Sequence, residues 1–375
     1  MTNPFHYGSP VTGDRFTDRA TELRALVTCM LKGQNAVLLS PRRYGKTSLL
    51  KRAVQDVRQA KGRSAMVNLI GCSSRRQVAQ TLATGIAHEA MGWLDGRTEL
   101  LREHLARVRA GVSLEVSHTG LTVTLTPASA STDWSDIISD VLRILVRLGA
   151  RSHPVSLVID EFQRVAEIDD GLAGVFKTLV DELEQVSLVF AGSKRHLMEE
   201  LSTGPGAPLL RVGTRISLAP IPEDLMTRFL IARAESAKKE LAPAVAAAIY
   251  RIARGIPNDV QQLAFWAFEE PGRRITEATA ERALDRVVSL QAEDFAENYD
   301  KLAPSQQRLL EVLVRGPVAD VYSRQMMALV DVANANAIRV ALRRLGELEL
   351  VERTPAGWRV TSVFFERWLL RKAEF

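Results

Sequence analysis

The sequence predicts an α/β P-loop NTPase core with a parallel sheet, followed by an all-helical lid and a C-terminal winged helix. Three observations carry this fold class: an apolar run, glycine-containing loop and helical pattern near residue 40; an apolar run ending in two carboxylates near residue 160; and helical periodicity after residue 222. The predicted domains are 1–220 for the core, with an insertion at about 93–130, then 221–295 for the lid and 296–375 for the winged helix.

Composition places the chain among ordinary soluble proteins. Of 375 residues, 46% are hydrophobic and 25% charged, which excludes disordered and fibrous classes. The first residues lack the basic and apolar regions of a signal peptide, and no apolar run is long enough to span a bilayer, so a cytoplasmic protein without a membrane partner is expected. Cys29 and Cys72 are far apart and are expected to be free thiols.

A phosphate-binding loop is predicted between the apolar run NAVLL at 35–39 and a helical pattern at 46–60. Gly45, Lys46 and Thr47 complete the pattern G-x-x-x-x-G-K-[ST], in which backbone N–H groups surround phosphates, Lys contacts the outer phosphates and Ser or Thr holds Mg²⁺. Free N–H groups at a helix start attract anions. The sequence therefore predicts ATP and Mg²⁺ as ligands. The predicted loop residues are Ser40, Pro41, Arg42, Arg43, Tyr44, Gly45, Lys46, Thr47 and Ser48.

A second buried strand is predicted in VSLVIDEF, residues 155–162. Its two acids fall at the carboxyl end of the strand, where parallel sheets bind ligands. In P-loop NTPases a strand-end Asp holds Mg²⁺, which assigns the metal to Asp160 and Thr47 and leaves Glu161 to polarise the attacking water. The alternative is that the two acids only signal the start of a helix.

Further strands are predicted in SAMVNLI and in SLVFAGS, residues 187–193. The insertion contains VSLEVSHTGLTVTLTP, which alternates apolar and polar residues on both sides of SHTG. This alternation predicts a β-hairpin. We expect it to be an added flap without chemistry of its own.

The C-terminal region is predicted to be three short helices followed by a hairpin around PAG, which describes a winged helix. Residues 301–375 contain 12 Lys and Arg against 8 Asp and Glu, a basic excess that suits a nucleic-acid partner or a solvated helix face. In a DNA-binding winged helix the third helix enters the major groove. The residues it would offer are Asn336, Arg339, Arg343 and Arg344. The alternative is a protein-docking domain, with Leu342, Leu345 and Leu348 on a buried side.

The segments NPFHYGSPVTGDRFTDRATEL, SPRRYGKTSLL, VIDEFQRV, LVFAGSKRH, GIP and FFERWLLR together resemble the archaeal-type ATPases of the AAA+/STAND group. The resemblance covers nearly the whole chain. Members of that family commonly carry SPRR.GKTSL, so a serine in place of the first Gly, here Ser40, is common among them. Physically, the first Gly shapes only the start of the loop, whereas the N–H groups and the Lys lie downstream.

The resemblance implies further roles. FTDRATEL, with Asp18 and Arg19, would pack against adenine. From its residues alone, this segment is predicted to be an exposed loop leading into a helix capped by Thr17 or Asp18.

By the same resemblance, Ser193 would sense the γ-phosphate through a water, and Pro257 of the lid would approach the nucleotide. Many relatives carry an Arg after that proline, where this chain has Asn258 and Asp259. The candidates for an arginine finger are Arg211, the better placed, and Arg215.

Two hypotheses follow. The first is an ATP-hydrolysing switch whose nucleotide state controls binding of the winged helix to double-stranded DNA or protein, with nucleotide-dependent self-association. The second is a nucleic-acid-binding regulator, or a scaffold, that uses ATP as a structural ligand with little turnover. The predicted catalytic residues are Glu161, Lys46, Ser193 and Arg211.

Overall fold

The structure is a computed structural model that describes residues 2–117, 120–129, 131–149 and 154–373. These residues form two compact units, and each is described separately. The first unit comprises residues 9–221, and the second comprises residues 222–373 with residues 2–8. The domain boundaries given above stay predictions.

The first unit is built on a five-stranded parallel sheet with the order β2-β5-β6-β1-β7. All residues of β1, β5 and β6 are buried, as expected for parallel strands covered on both faces. The strands predicted in NAVLL, SAMVNLI, VSLVIDEF and SLVFAGS are thus confirmed. The strands of this unit are β1 (Ala36–Leu39), β2 (Arg63–Asn68), β3 (Ala110–Ser117), β4 (Gly120–Pro127), β5 (Val155–Asp160), β6 (Val186–Gly192) and β7 (Thr214–Ser217).

Helices cover both faces of this sheet. Alternate residues of β1 enter different hydrophobic clusters: Val37 lies with Phe162 and Phe190, and Leu38 lies with Leu26. The helices of this unit are α1 (Ala20–Leu31), α2 (Lys46–Gln59), α3 (Arg75–Trp93), α4 (Thr98–Leu105), α5 (Trp134–Leu148), α6 (Arg164–Ile168), α7 (Leu172–Glu182) and α8 (Arg195–Ser202).

The insertion contains α4 and the predicted hairpin, because β3 and β4 pair antiparallel with Ser117 opposite Gly120. Of the SHTG turn, His118 and Thr119 lie outside the described residues. The hairpin packs on α3: Val123 and Leu125 are buried in the core, and the Leu125 N–H donates to Gln80. The flap is therefore anchored by apolar burial and backbone hydrogen bonds.

The second unit is mainly helical, and a two-residue parallel pairing of β8 with β9 is added to the predicted helices. Its helices are α9 (Glu223–Ser236), α10 (Pro243–Ile252), α11 (Pro257–Glu269), α12 (Glu277–Leu290), α13 (Ala292–Asp300), α14 (Pro304–Leu313), α15 (Arg324–Val330), α16 (Ala335–Glu347) and α17 (Val363–Ala373). Its strands are β8 (Glu240–Leu241), β9 (Arg274–Ile275), β10 (Val351–Thr354) and β11 (Gly357–Val360).

The last part of this unit has the winged-helix arrangement. Helices α14, α15 and α16 share one hydrophobic core, and β10 pairs antiparallel with β11 to form the wing. Gly357 at the wing turn has φ of 126° and lies against the backbone of Val318, where a Cβ would overlap the Val318 carbonyl. Only glycine fits both conditions.

The final helix packs against the winged helix and against α12. Phe365 and Leu369 enter the winged-helix core, and Arg371 is ion-paired with Asp285 on α12.

Both cysteines are buried free thiols, as predicted. Among the described residues, the helices lack the combination of length and apolarity that crossing a membrane requires.

Candidate nucleotide site

The predicted phosphate loop and the predicted carboxylates lie at the carboxyl ends of neighbouring strands. The loop follows β1, Asp160 ends β5, and Ser193 follows β6, which lies between β5 and β1 in the sheet. Carboxyl ends of parallel strands meet at one edge of a sheet, where ligands bind in open α/β folds. Distant parts of the sequence are thereby brought to one place.

The loop reaches its helix through two left-handed residues. Arg43 has φ of 68° and Gly45 has φ of 85°, and α2 begins at the next residue, Lys46. Within the described part of the chain, no atom lies within 4 Å of the place where a Cβ at Gly45 would stand, so its backbone conformation is what calls for glycine. Ser40 is fully buried, and its hydroxyl donates to the Pro41 carbonyl at 2.9 Å. The hydroxyl of the serine at the first-Gly position therefore has its hydrogen-bond partner within the loop. The side chains of Arg42 and Arg43 are exposed.

Lys46 and Asp160 form a buried ion pair at the centre of the site. The Lys46 side chain is 6% exposed and Asp160 is 0% exposed, and the ammonium also donates to Glu161 Oε1 at 2.8 Å. The Thr47 hydroxyl donates to Asp160 Oδ2 at 2.9 Å. Burial of charge is costly unless the charge is paired. The two carboxylates therefore neutralise Lys46 where the motif would place phosphate.

Glu161 is held by three donors. Its backbone is left-handed, with φ of 57°. Its Oε2 accepts from the Ser193 hydroxyl at 2.8 Å and from Gln163 Nε2 at 2.6 Å, and its Oε1 accepts from Lys46. Burial alone raises the pKa of Glu161, but the Lys46 charge and the hydrogen bonds outweigh it and hold the pKa below its ordinary value. Glu161 is therefore ionised at neutral pH and able to accept a proton.

The segment FTDRATEL lies against the loop. Arg19 is 5% exposed and donates to the carbonyls of Ala219 at 2.7 Å and Tyr44 at 3.3 Å. The predicted caps are wrong: α1 begins at Ala20 after Arg19, which is left-handed like Asp18. The guanidinium bonds of Arg19 fix this turn in place of a side-chain cap.

Other predicted residues lie outside the carboxylate cluster. Arg211 is a left-handed, exposed residue before β7, and Arg215 is exposed on β7. Ser48 is buried, and its hydroxyl accepts from the Val11 N–H at 2.9 Å, so it ties the N-terminal segment to α2. In the second unit, Pro257 is the first residue of α11, and Asn258 accepts from the Gly8 N–H at 2.9 Å.

The predicted DNA-contact residues share the exposed side of α16. Arg339 lies 6.0 Å from the Tyr322 ring centroid, and Arg344 is 3.1 Å from Glu347. The remaining predicted residues, Asn336 and Arg343, are also exposed. Leu342 and Leu345 are buried as predicted, but Leu348 is 42% exposed because it follows the end of the helix.

Gln163 was missed by sequence reasoning. It is 1% exposed and donates to Glu161, which lies two residues before it. The only signal in the sequence was a pair of polar residues, Gln163 and Arg164, between the apolar Phe162 and Val165.

Comparison with solved structures decides the fold. A Walker-type ATPase of Pyrococcus abyssi aligns with a TM-score of 0.68 over 98% of this chain and 99% of that chain, at 17% identity. The fold is that of a Walker-type ATPase. The ORC2 protein of Aeropyrum pernix, in ADPNP–ADP complexes, aligns with a TM-score of 0.54 at 15% identity over 99% of this chain and 97% of its own. The ORC1 protein of Aeropyrum pernix, in complex with DNA, aligns with a TM-score of 0.52 at 15% identity over 96% and 94%.

The second unit of this Walker-type fold contains a recognised domain. The family described as "Probable winged helix domain" matches residues 293–371. This match confirms the predicted C-terminal winged helix and, with the parallel sheet, the predicted fold class. A search of curated protein sequences finds no match.

Proposed function

We propose that this protein binds ATP with Mg²⁺ and hydrolyses the ATP. The observation that carries the proposal is the gathering of Lys46, Thr47, Asp160, Glu161 and Ser193 at the ends of three neighbouring parallel strands. A loop at a helix start, a buried lysine and two strand-end carboxylates are what phosphoryl transfer requires. The Walker-type fold supports this proposal.

Each of these side chains has a defined role in the proposed binding and hydrolysis of ATP. Lys46 exchanges its carboxylate partners for phosphate oxygens, which removes the need for the buried pair. Thr47 and Asp160, whose oxygens are 2.9 Å apart, suit Mg²⁺ because it prefers hard oxygen ligands and few protein ligands. Bound Mg²⁺ would neutralise charge on the phosphate oxygens. Glu161 accepts the proton of the attacking water.

The remaining roles in the proposal come from the resemblance. Asp18 and Arg19 belong to the segment assigned to adenine, and Pro257 is assigned to the lid contact. Arg211 or Arg215 would act on the nucleotide of a second copy of the chain, because both side chains are exposed. The nucleotide state would then change how the winged helix binds its partner in the cytoplasm.

The test is ATP turnover measured with and without Mg²⁺ and double-stranded DNA. We expect Mg²⁺-dependent phosphate release by the wild type, and no release above background by Lys46→Ala, because the substitution removes the charge that holds the outer phosphates. The Lys46→Ala protein is checked for folding by circular dichroism. Wild-type release equal to the Lys46→Ala rate under every condition would contradict the proposal.

A second candidate function is DNA binding with ATP as a structural ligand and little turnover. It is favoured by the exposed side of α16, where Arg339, Arg343 and Arg344 are all accessible. Arginine is the side chain best suited to phosphate and to guanine in the major groove. The DNA-bound ORC1 protein, which has the same overall fold, also supports this candidate.

The combined replacement of Arg339, Arg343 and Arg344 by Ala is expected to weaken binding to double-stranded DNA about tenfold or more at low salt. The reason is that the substitutions remove three positive charges from the exposed side of α16, which is the side proposed to contact DNA. Fluorescence anisotropy at several salt concentrations measures this change and its salt slope. Arg228→Ala is the control, since Arg228 is 70% exposed and paired with Asp224 on α9. Equal DNA affinity of the triple variant and the wild type would identify the winged helix as a protein-docking domain.

A further inference from the structure

Gln163 is a buried polar residue to which the proposed function gives no role. It precedes α6, its side chain is 1% exposed, and Nε2 donates to Glu161 Oε2 at 2.6 Å. Its other polar atom, Oε1, is buried and accepts no hydrogen bond within the described part of the chain. An unsatisfied buried acceptor is unfavourable, and an apolar side chain would avoid it. The Nε2 contact is therefore what a glutamine supplies here.

Glu161 fixes the orientation of this amide, and Gly192 leaves room for it on the other side. Glu161 is ionised and accepts hydrogen bonds only, so it selects Nε2 and repels Oε1. On the other side, Oε1 lies beside Gly192 at the end of β6, where a Cβ would overlap it. Glycine at this position leaves the space that the amide occupies.

The two oxygens of Glu161 differ in their partners. Oε2 accepts from two neutral donors, Gln163 and Ser193, whereas Oε1 accepts from Lys46. In the proposed function Lys46 turns to phosphate, so Oε1 loses its partner while Oε2 keeps both. An oxygen without a donor is the stronger proton acceptor of the two.

We infer that Gln163, together with Ser193, clamps Glu161 through Oε2 and thereby presents Oε1 to the attacking water. Gln163 is a positioning residue in this scheme, because it acts on Glu161 and not on the substrate. The inference rests on the proposed ATP hydrolysis for its kinetic consequence. The clamp itself has a consequence that needs no turnover, which is the hydrogen bond from the Gln163 amide to Glu161 Oε2.

The kinetic experiment compares Gln163→Met, Ser193→Ala and Ser193→Thr with the wild type. We expect kcat to fall about tenfold or more in the first two variants, with KM for ATP within about twofold, because a misplaced base lowers the rate without weakening binding. Ser193→Thr keeps the hydroxyl and is expected to retain kcat. The matched controls are Gln80→Met, which removes an amide at the hairpin, and Ser156→Ala, which removes a buried hydroxyl on β5.

The second experiment observes the Gln163 side-chain amide by nitrogen-15 NMR with labelled glutamine, the resonance being assigned by its absence in Gln163→Met. The Nε2 protons donate to a carboxylate, so their resonance is expected downfield of an exposed glutamine and is expected to move upfield in Glu161→Ala. If the wild type lacks turnover, the proposed function fails, and the amide spectrum alone decides on the clamp. A Gln163 amide resonance that is unchanged in Glu161→Ala, or a kcat loss no larger than in the matched controls, overturns the inference.

Discussion

Replacement of Glu161 by Gln is expected to remove most ATP turnover and to leave ATP bound. Glutamine has nearly the same shape and still accepts a hydrogen bond from Lys46, but it takes no proton from water. General-base catalysis by a positioned side chain contributes about 10²–10⁴-fold to the rate, so kcat should fall by that order. The affinity for ATP should stay the same or rise, because a negative charge near the phosphates is removed.

Two measurements separate these effects: kcat from phosphate release, and ATP affinity from calorimetry in the presence of Mg²⁺. Lys46→Ala serves as a comparison, because this substitution is expected to lower the affinity for ATP, which Glu161→Gln should not do. The matched control is Glu167→Gln, because Glu167 is a neighbouring carboxylate that pairs with Lys194 and Arg164 outside the cluster. A Glu161→Gln protein with wild-type kcat would show that another group accepts the proton. Simultaneous loss of ATP binding would assign Glu161 a structural role.

Much of this site could be predicted because its signals are local. Lys46 and Thr47 stand at a strand-to-helix junction, and Asp160 ends an apolar run, so sequence spacing alone gives their place at the edge of a parallel sheet. The winged helix was likewise visible as three helical patterns and a hairpin.

What could not be predicted depends on contacts between distant segments or on unusual backbone conformations. Gln163 reaches Glu161 because Glu161 is left-handed, which bends the chain after β5. The start of α1 follows from hydrogen bonds that Arg19 makes 200 residues away, at Ala219. A Thr or Asp before a helix is only a weak signal when a tertiary contact of this kind fixes the turn.

A similar tertiary contact in the second unit joins the turn before α11 to the wing. Arg254 has a left-handed backbone, with φ of 52°, and stands three residues before Pro257. Its guanidinium donates to the Val360 carbonyl at the end of β11 at 2.8 Å and is ion-paired with Glu366 on α17. If Pro257 contacts ATP as proposed, the same turn also holds the wing. A change at that turn would then be transmitted to the winged helix through Arg254.

Replacement of Arg254 by Ala is expected to lower the free energy of unfolding at neutral pH by about 2 kcal/mol, because Glu366 and a backbone carbonyl lose a charged donor. The Arg254 and Glu366 side chains are 23% and 19% exposed, so solvent replaces the lost bonds only in part. Arg251→Ala, in the last turn of α10, is the control: Arg251 is 69% exposed where it pairs with Glu223, and exposed pairs contribute roughly 0–1 kcal/mol.

The loss at Arg254 should depend on pH, because burial raises the pKa of Glu366 although the Arg254 charge opposes the rise. A raised carboxyl pKa gives stability that is complete below the ordinary Glu value and is lost as pH rises through the folded-state value. Without Arg254 that pKa rises further, so the deficit of the variant should be small in acid, where Glu366 is protonated, and should grow toward neutral pH. Urea unfolding across this range measures the deficit. When Arg254→Ala is made in a Glu366→Gln background, the deficit should no longer depend on pH, because glutamine does not titrate. If Arg254→Ala and Arg251→Ala lower the free energy of unfolding equally at neutral pH, the Arg254 contact contributes no more than an exposed ion pair.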